Sequence, residues 1–137
     1  MTALFPAELG RFPEMTAFIR EGLAALGAGK DVLDTAHVVA DELIANVIRH
    51  AYPDAPPVAD GGGRPLWITV GGGPGRFQVE IADRGRPFNP LCPEGGPPGK
   101  GGARGGFGLS VVKGLADDLR YERTGGENRV TFTLAAK

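Results

Sequence analysis

The sequence feature that most constrains this fold is a helical repeat of apolar residues in the first half of the chain. The repeat begins after Asp31, a plausible N-cap, and Pro53 ends it. At about 100° per residue, apolar side chains cover one face of the helix, and Glu42, Asn46 and His50 form a narrow stripe on the other. Surface helices usually carry Lys and Glu in such a stripe. A carboxylate, a carboxamide and an imidazole in line instead suit a site that coordinates a ligand.

The alternative is an ordinary amphipathic helix. In that case the stripe is only the solvated face of the helix, and Asn46 is an indifferent surface residue. Amphipathic helices are common, so the stripe alone does not separate the two hypotheses. Two later segments of the chain bear on the choice.

Length, charge and cysteine content narrow the class of protein. With 137 residues, the chain 1–137 is expected to form a single domain. Its 15 Lys and Arg balance 16 Asp and Glu, so we expect no direct binding to nucleic acid or to an anionic membrane. The single cysteine, Cys92, can form neither an internal disulfide nor, by itself, a metal site. Since no segment is typical of a signal peptide or a membrane span, we expect a cytoplasmic protein.

Periodicity and turn residues predict the remaining elements. In chain order these are an edge strand at 4–9, a helix at 13–26, the helix with the polar stripe, a hairpin of strands at 66–70 and 76–82, a helix at 109–118, and a closing hairpin of strands at 119–123 and 129–134. Helices segregated from a mainly antiparallel sheet predict an α+β two-layer sandwich, with the sheet covered on one face by about three helices. A Gly/Pro-rich segment without periodicity, at about 87–105, is predicted to be a functional loop such as a lid.

The second chemical segment is Asp83-Arg84-Gly85, at the end of a predicted strand. A carboxylate placed there can accept a hydrogen bond from an exocyclic amine, and Gly85 lets the backbone approach a flat ring. The alternative is a simple turn, because Asp-x-Gly is common in turns.

The third segment is the glycine cluster from Gly105 to Leu109, which opens the last predicted helix. Backbone N–H groups at a helix N-terminus attract anions, so this cluster predicts a phosphate site, although a flexible linker is the alternative. A Walker A loop is excluded. Lys30 and Lys100 lack both the upstream glycine and the following Ser or Thr that such a loop requires.

Taken together, the three segments resemble the Bergerat (GHKL) ATPase superfamily over nearly the whole chain. The closer resemblance is to the small bacterial anti-sigma factor serine-protein kinases of partner-switching systems. Three stretches carry it: 42–46 with His50 four residues on, 106–113, and 117–122. The fold that the resemblance implies is the histidine-kinase-like ATPase fold, and the cofactors it implies are ATP and Mg²⁺.

The resemblance also implies residue roles around the nucleotide. Asn46 would coordinate the Mg²⁺ that bridges the phosphates, and Glu42 would be the catalytic base. Asp83 would hold the adenine amine, with Gly85 making room for the ring. Thr131 would support adenine through a water molecule.

The remaining implied roles concern the phosphates. Backbone groups of the second glycine box would grip them, namely Gly106, Phe107, Gly108 and Leu109. Arg104 occupies a lid position where the family can place a phosphate-contacting cation. His50 matches the family pattern, either at the nucleotide or as a brace for the helix.

One departure from the superfamily pattern concerns the adenine loop. Where the superfamily usually continues Asp-x-Gly-x-Gly, this chain has Pro87 in place of the second glycine. Proline has no backbone N–H and cannot adopt positive φ, so the loop must follow another path.

The function implied by the resemblance is that of an ATP-dependent protein serine/threonine kinase. It would sequester a sigma factor and phosphorylate an anti-sigma-factor antagonist of STAS type, and it would form a homodimer. The main alternative is a non-catalytic module that grips a regulatory protein, with ATP bound structurally or not at all. A third alternative, the catalytic half of a histidine kinase, is less favoured because no helix with a phospho-acceptor His precedes the domain.

Overall fold

The computed structural model describes residues 1–51, 64–89 and 114–136, and it shows a five-stranded antiparallel sheet with helices packed on one face. The strands are β1 (Thr2–Pro6), β2 (Pro65–Gly73), β3 (Arg76–Asp83), β4 (Asp118–Thr124) and β5 (Glu127–Ala135). The helices are α1 (Phe12–Ala25) and α2 (Lys30–Asn46), with a 3₁₀ turn at Leu9–Arg11 and a π-helix at Val47–Ala51. The predicted α+β two-layer sandwich is confirmed.

The strand order in the sheet is β1-β2-β3-β5-β4, and all neighbours are antiparallel. Two hairpins, β2–β3 and β4–β5, therefore join through the pairing of β3 with β5. In this register the last residue of β3, Asp83, lies between Leu66 of β2 and Asn128 of β5. A carboxylate at this position is flanked by backbone on both sides.

The hydrophobic core fills the space between the sheet and the two helices. Alternate residues of the three central strands point into it, as expected for a period of two. They are Leu66, Ile68 and Val70 in β2, Phe77, Val79 and Ile81 in β3, and Val130, Phe132 and Leu134 in β5. On the helix side, α1 packs closely on β2 at Gly22, where an added Cβ would lie 3.1 Å from Cγ1 of Val70.

The start of α2 differs from the prediction that Asp31 caps it. Gly29 is the N-cap, with extended backbone and no side-chain cap, and Asp31 lies in the first turn. A carboxylate in the first turn still favours the helix, because it faces the positive end of the helix dipole. At the other end, regular α-helix stops at Asn46 and continues as the π-helix. Pro53, the predicted stop, lies outside the described residues.

Two other boundaries differ from the prediction. β1 ends at Pro6 because a 3₁₀ turn follows, whereas the strand was predicted to reach residue 9. Asp118 begins β4, whereas it was predicted to end the third helix; in the described part of that helix, only Gly114 and Leu115 are helical. None of the helices in the described ranges is long and apolar enough to cross a membrane.

Candidate functional site

The polar stripe of α2 is not an ordinary solvated face. Asn46, the last residue of α2, is only 3% exposed, and Glu42 one turn earlier is half-buried. In the described part of the chain, Asn46 Oδ1 receives only one long hydrogen bond, from Arg49 Nη1 at 3.5 Å, and Glu42 has no hydrogen-bond or ion-pair partner. A buried carboxamide oxygen with spare capacity suits a hard cation or a polar ligand. The hypothesis of an indifferent surface Asn46 is therefore wrong.

A π-helix begins immediately after Asn46, at Val47–Ala51. Such segments are rare and frequently mark functional sites. Here the π-helix presents the backbone carbonyl of His50 to Arg86 Nε at 2.8 Å, and the His50 ring stacks on Phe88 at 4.7 Å between centroids. The His50 ring therefore lies against the loop that follows β3, as a brace between the two segments.

Asp83 ends β3 with its carboxyl group almost fully buried, at 2% exposure. Its Oδ1 accepts hydrogen bonds from the backbone N–H of Gly85 at 2.8 Å and from Asn128 Nδ2 at 2.9 Å. Across residues 1–51, 64–89 and 114–136, no donor bonds Oδ2. Burial raises the pKa of Asp83 and is only partly opposed by these two hydrogen bonds. A turn is present, as the simpler hypothesis predicted, but it leaves one oxygen of a buried carboxyl group for another donor.

Three contacts hold the loop after Asp83 in place. The carbonyl of Gly85 accepts a hydrogen bond from Arg123 Nη1 at 2.9 Å. The guanidinium of Arg84 lies 5.0 Å from the centroid of Trp67, at cation–π distance, on the far side of the sheet. Together with the bond from Arg86 to the π-helix, these contacts place the loop beside the end of α2. The two predicted segments, one on α2 and one after β3, are thus brought together.

Asn128 is a polar residue of this site that the sequence analysis missed. It lies on β5 directly opposite Asp83 and is 4% exposed. The signal was present in the alternation of β5, where Asn128 precedes Val130, Phe132 and Leu134 on the core face. A carboxamide in a row of core residues indicates a specific polar partner.

Thr131 is not brought to Asp83, and its predicted place at the adenine needs correction. Thr131 pairs with Glu80, and both residues occupy the face of the sheet away from the helices. The reason is the period of two along a strand, which puts residues 128 and 131 on opposite faces. On the face of β5 that Asp83 shares, the polar residue at the end of the strand is Asn128.

Comparison with known proteins identifies the family of this chain. Residues 5–134 match the model of the histidine kinase-like ATPase domain family. The chain belongs to that family. The resemblance to the Bergerat ATPases is confirmed at the level of the family. The polar stripe of α2 and the segment after β3 both lie within the matched residues.

Among solved structures, the ATPase domain is similar to the crystal structure of the RsbU and RsbW domains of Rv1364c from Mycobacterium tuberculosis. The TM-score is 0.59 and the sequence identity is 18%, which shows a shared fold. The match covers 100% of this chain and 34% of that chain, so the ATPase domain spans about a third of the other protein. No curated protein sequence matches the chain significantly.

The predicted phosphate-binding residues lie outside the described residues. These are Arg104, Gly106, Phe107, Gly108 and Leu109, together with residues 90–105 of the predicted lid. In the described parts of the ATPase domain, no group of three or more His, Cys, Asp or Glu could hold a metal ion. The predicted Mg²⁺ site does not require such a group, because Mg²⁺ keeps several waters and can be held by one protein oxygen and the substrate phosphates.

Replacing Asp83 by Asn is expected to stabilise the ATPase domain at neutral pH. Because burial raises the pKa of Asp83, the stability that this group contributes is present below its unfolded pKa of about 3.9 and is lost as pH rises through the folded pKa. Asparagine keeps an oxygen for the bonds from Gly85 and Asn128 and carries no charge to desolvate.

Thermal unfolding measured from about pH 4 to about pH 8 checks this expectation. The Tm of the Asp83→Asn variant should exceed that of the wild type at the upper end of this range, and the two values should converge toward the lower end. A difference in Tm that stays constant with pH would contradict the assignment of the effect to Asp83 ionisation.

Proposed function

We propose that this ATPase domain is an ATP-dependent protein serine/threonine kinase that acts as an anti-sigma factor. It binds Mg·ATP, phosphorylates an anti-sigma-factor antagonist of STAS type and sequesters a sigma factor. The observation that carries the proposal is the buried Asp83 carboxyl group. Its Oδ2 has no donor among the described residues, and the loop after it bonds the π-helix that directly follows Asn46. The family match and the similarity to a structure that contains an RsbW domain support it.

The described residues fit a magnesium nucleotide. Asn46 is buried, and its carboxamide oxygen has only one long hydrogen bond within residues 1–51, 64–89 and 114–136, so it can serve as a metal ligand. The Asp83 carboxyl group can accept the adenine amine through Oδ2. When bound, Mg²⁺ would supply charge neutralisation at the phosphates.

Glu42 is the proposed base of the reaction. Its half-buried carboxylate has no partner among the described residues and lies one helical turn before Asn46. A carboxylate in that place can take the proton from the attacking serine or threonine hydroxyl of the substrate protein. We further propose that Arg104 and the glycine box from Gly106 to Leu109 hold the phosphates.

The proposed partners are proteins. We propose a cytoplasmic homodimer that meets a sigma factor and an antagonist. The net charge of −1 offers no electrostatic basis for direct nucleic acid binding or for attachment to an anionic membrane. The protein would thus regulate transcription by binding the sigma factor and not by binding DNA.

Two measurements on one preparation test the proposed function. Calorimetric titration with ATP in the presence of Mg²⁺ should give a dissociation constant in the usual range for enzyme substrates, about 1 μM–1 mM, and EDTA should weaken it. Incubation with γ-labelled ATP and a STAS-type antagonist should then transfer label to the antagonist.

The outcomes separate the two hypotheses. Normal binding of Mg·ATP without label transfer to any STAS-type antagonist from the same organism favours the non-catalytic binding module. Absence of nucleotide binding would remove both the kinase and the structural role of ATP.

A further inference from the structure

We propose that Asn128 is the positioning residue for nucleotide base recognition. Through one side-chain amide, it fixes both the Asp83 carboxylate and the two backbone groups that flank Pro87. The inference rests on the proposed function, because it assumes that Asp83 receives the amino group of adenine. What it adds is a residue on a different strand that determines whether Asp83 can do so.

All four hydrogen-bonding positions of the Asn128 amide are occupied. Nδ2 donates to Asp83 Oδ1 at 2.9 Å and to the carbonyl of Arg86 at 2.8 Å. Oδ1 accepts from the backbone N–H of Phe88 at 3.2 Å and from the Tyr121 hydroxyl at 2.6 Å. An amide can make no more bonds than these, so the side chain has one orientation and no freedom.

The partners also determine which end of the amide is which. The Arg86 carbonyl can only accept, and the Phe88 N–H can only donate. A flipped amide would set its oxygen against the Arg86 carbonyl and its NH₂ group against the Phe88 N–H. The orientation with Nδ2 toward Asp83 is therefore the one that the backbone requires.

The same bonds explain how the loop accommodates Pro87. Proline has no N–H to offer, so this loop cannot be held by a backbone bond at that residue. The carbonyl before it, on Arg86, and the N–H after it, on Phe88, both bond to Asn128 instead. The side chain of Asn128 thus makes the two hydrogen bonds, one donated and one accepted, that a peptide group of a neighbouring strand makes in a sheet. This is the alternative path that the departure from the superfamily glycine pattern requires.

The consequence for Asp83 is a defined position for Oδ2, the oxygen that no donor bonds in the described part of the chain. Asn128 and the Gly85 N–H both bond Oδ1, so the carboxyl group cannot rotate without losing two bonds. The Asn128 bond also favours the ionised form of Asp83, because it lowers the pKa of the carboxyl group. Burial has the larger effect and raises this pKa. An ionised carboxylate is an acceptor at both oxygens, as recognition of an amino group requires.

The test compares ATP with purine riboside 5′-triphosphate, which lacks the amino group that Asp83 would bind. The readout is the ratio of the two dissociation constants, measured by calorimetry. In Asn128→Ala, the preference for ATP is expected to fall about tenfold, the equivalent of one lost hydrogen bond to a charged group. In Asp83→Asn the preference should be lost as well, and adding Asn128→Ala to that variant should change the ratio no further.

A merely structural Asn128 would give a different result. In that case Asn128→Ala would weaken the binding of both nucleotides equally and leave the ratio of dissociation constants at its wild-type value, which would overturn the inference. Tyr121→Phe is the matched control, because it removes one bond to Asn128 Oδ1 and leaves the bond to Asp83 intact. Its ratio is expected to equal that of the wild type.

A second substitution covers the case in which Asn128→Ala does not fold. Asn128→Leu has nearly the same side-chain shape but removes both donated bonds and adds no charge beside Asp83, and its ratio should also fall. If wild-type protein binds neither nucleotide, the proposed function fails and this inference fails with it. If the wild type prefers ATP and the Asn128 variants retain that preference, only the inference about Asn128 fails.

Discussion

Asn46→Ala is expected to weaken Mg·ATP binding on the order of a hundredfold and to remove its dependence on Mg²⁺. The carboxamide of Asn46 is buried at the end of α2, where its oxygen has only one long hydrogen bond within the described residues. Alanine has no oxygen to offer, and the helix itself should persist because alanine is the best helix former. The substitution should therefore reduce the affinity for Mg·ATP without unfolding the domain.

Calorimetric titrations with Mg·ATP and with ATP in EDTA measure this effect directly. For the wild type, the two affinities should differ, whereas for Asn46→Ala they should be equal. Asp41→Ala is a suitable control, because Asp41 is on the same helix and pairs with His37 at the surface. Unchanged Mg·ATP affinity in Asn46→Ala would remove Asn46 from the proposed metal site.

Glu42→Gln is expected to retain Mg·ATP binding and to slow phosphate transfer by about 10²–10⁴-fold. Glutamine has nearly the same shape as glutamate, so the helix and the neighbouring Asn46 should keep their positions. It cannot take a proton from the attacking hydroxyl, however, and that is the one step assigned to Glu42. The effect should therefore appear in turnover and not in the dissociation constant.

Single-turnover transfer of labelled phosphate to a STAS-type antagonist provides the measurement. Glu21→Gln, an exposed glutamate of α1, is the matched control and should transfer label at the wild-type rate. If Glu42→Gln transfers label as fast as the wild type, another residue must act as the base. Equal loss of binding and turnover would instead mean that Glu42 supports the nucleotide site as a whole.

The sequence predicts those parts of the site that depend on local periodicity. Glu42 and Asn46 are one helical turn apart, so their common face follows from 3.6 residues per turn without knowledge of the rest of the fold. Asp83 is placed at the end of a strand by the alternation that precedes it. The sheet itself is predictable in outline, since hairpins of alternating strands pair with near neighbours.

Interactions between segments distant in the sequence required the tertiary structure. Asn128 meets Asp83 only because β5 pairs with β3 in one register, and 45 residues separate the two side chains. The same register places Thr131 on the opposite face of the sheet, which the choice of Thr131 from sequence did not take into account. The π-helix after Asn46 is likewise held by contacts with the loop that contains Arg86 and Phe88.

The physical reason for this division lies in what determines each feature. Helix faces and strand alternation are set by backbone geometry over a few residues, so the sequence alone determined which residues of this chain could form a polar stripe or end a strand. Strand register and the partners of a buried amide are set by core packing and by the requirement that buried polar groups be satisfied. Only the tertiary structure could therefore decide that the Asn128 amide holds Asp83 and bridges the backbone on either side of Pro87.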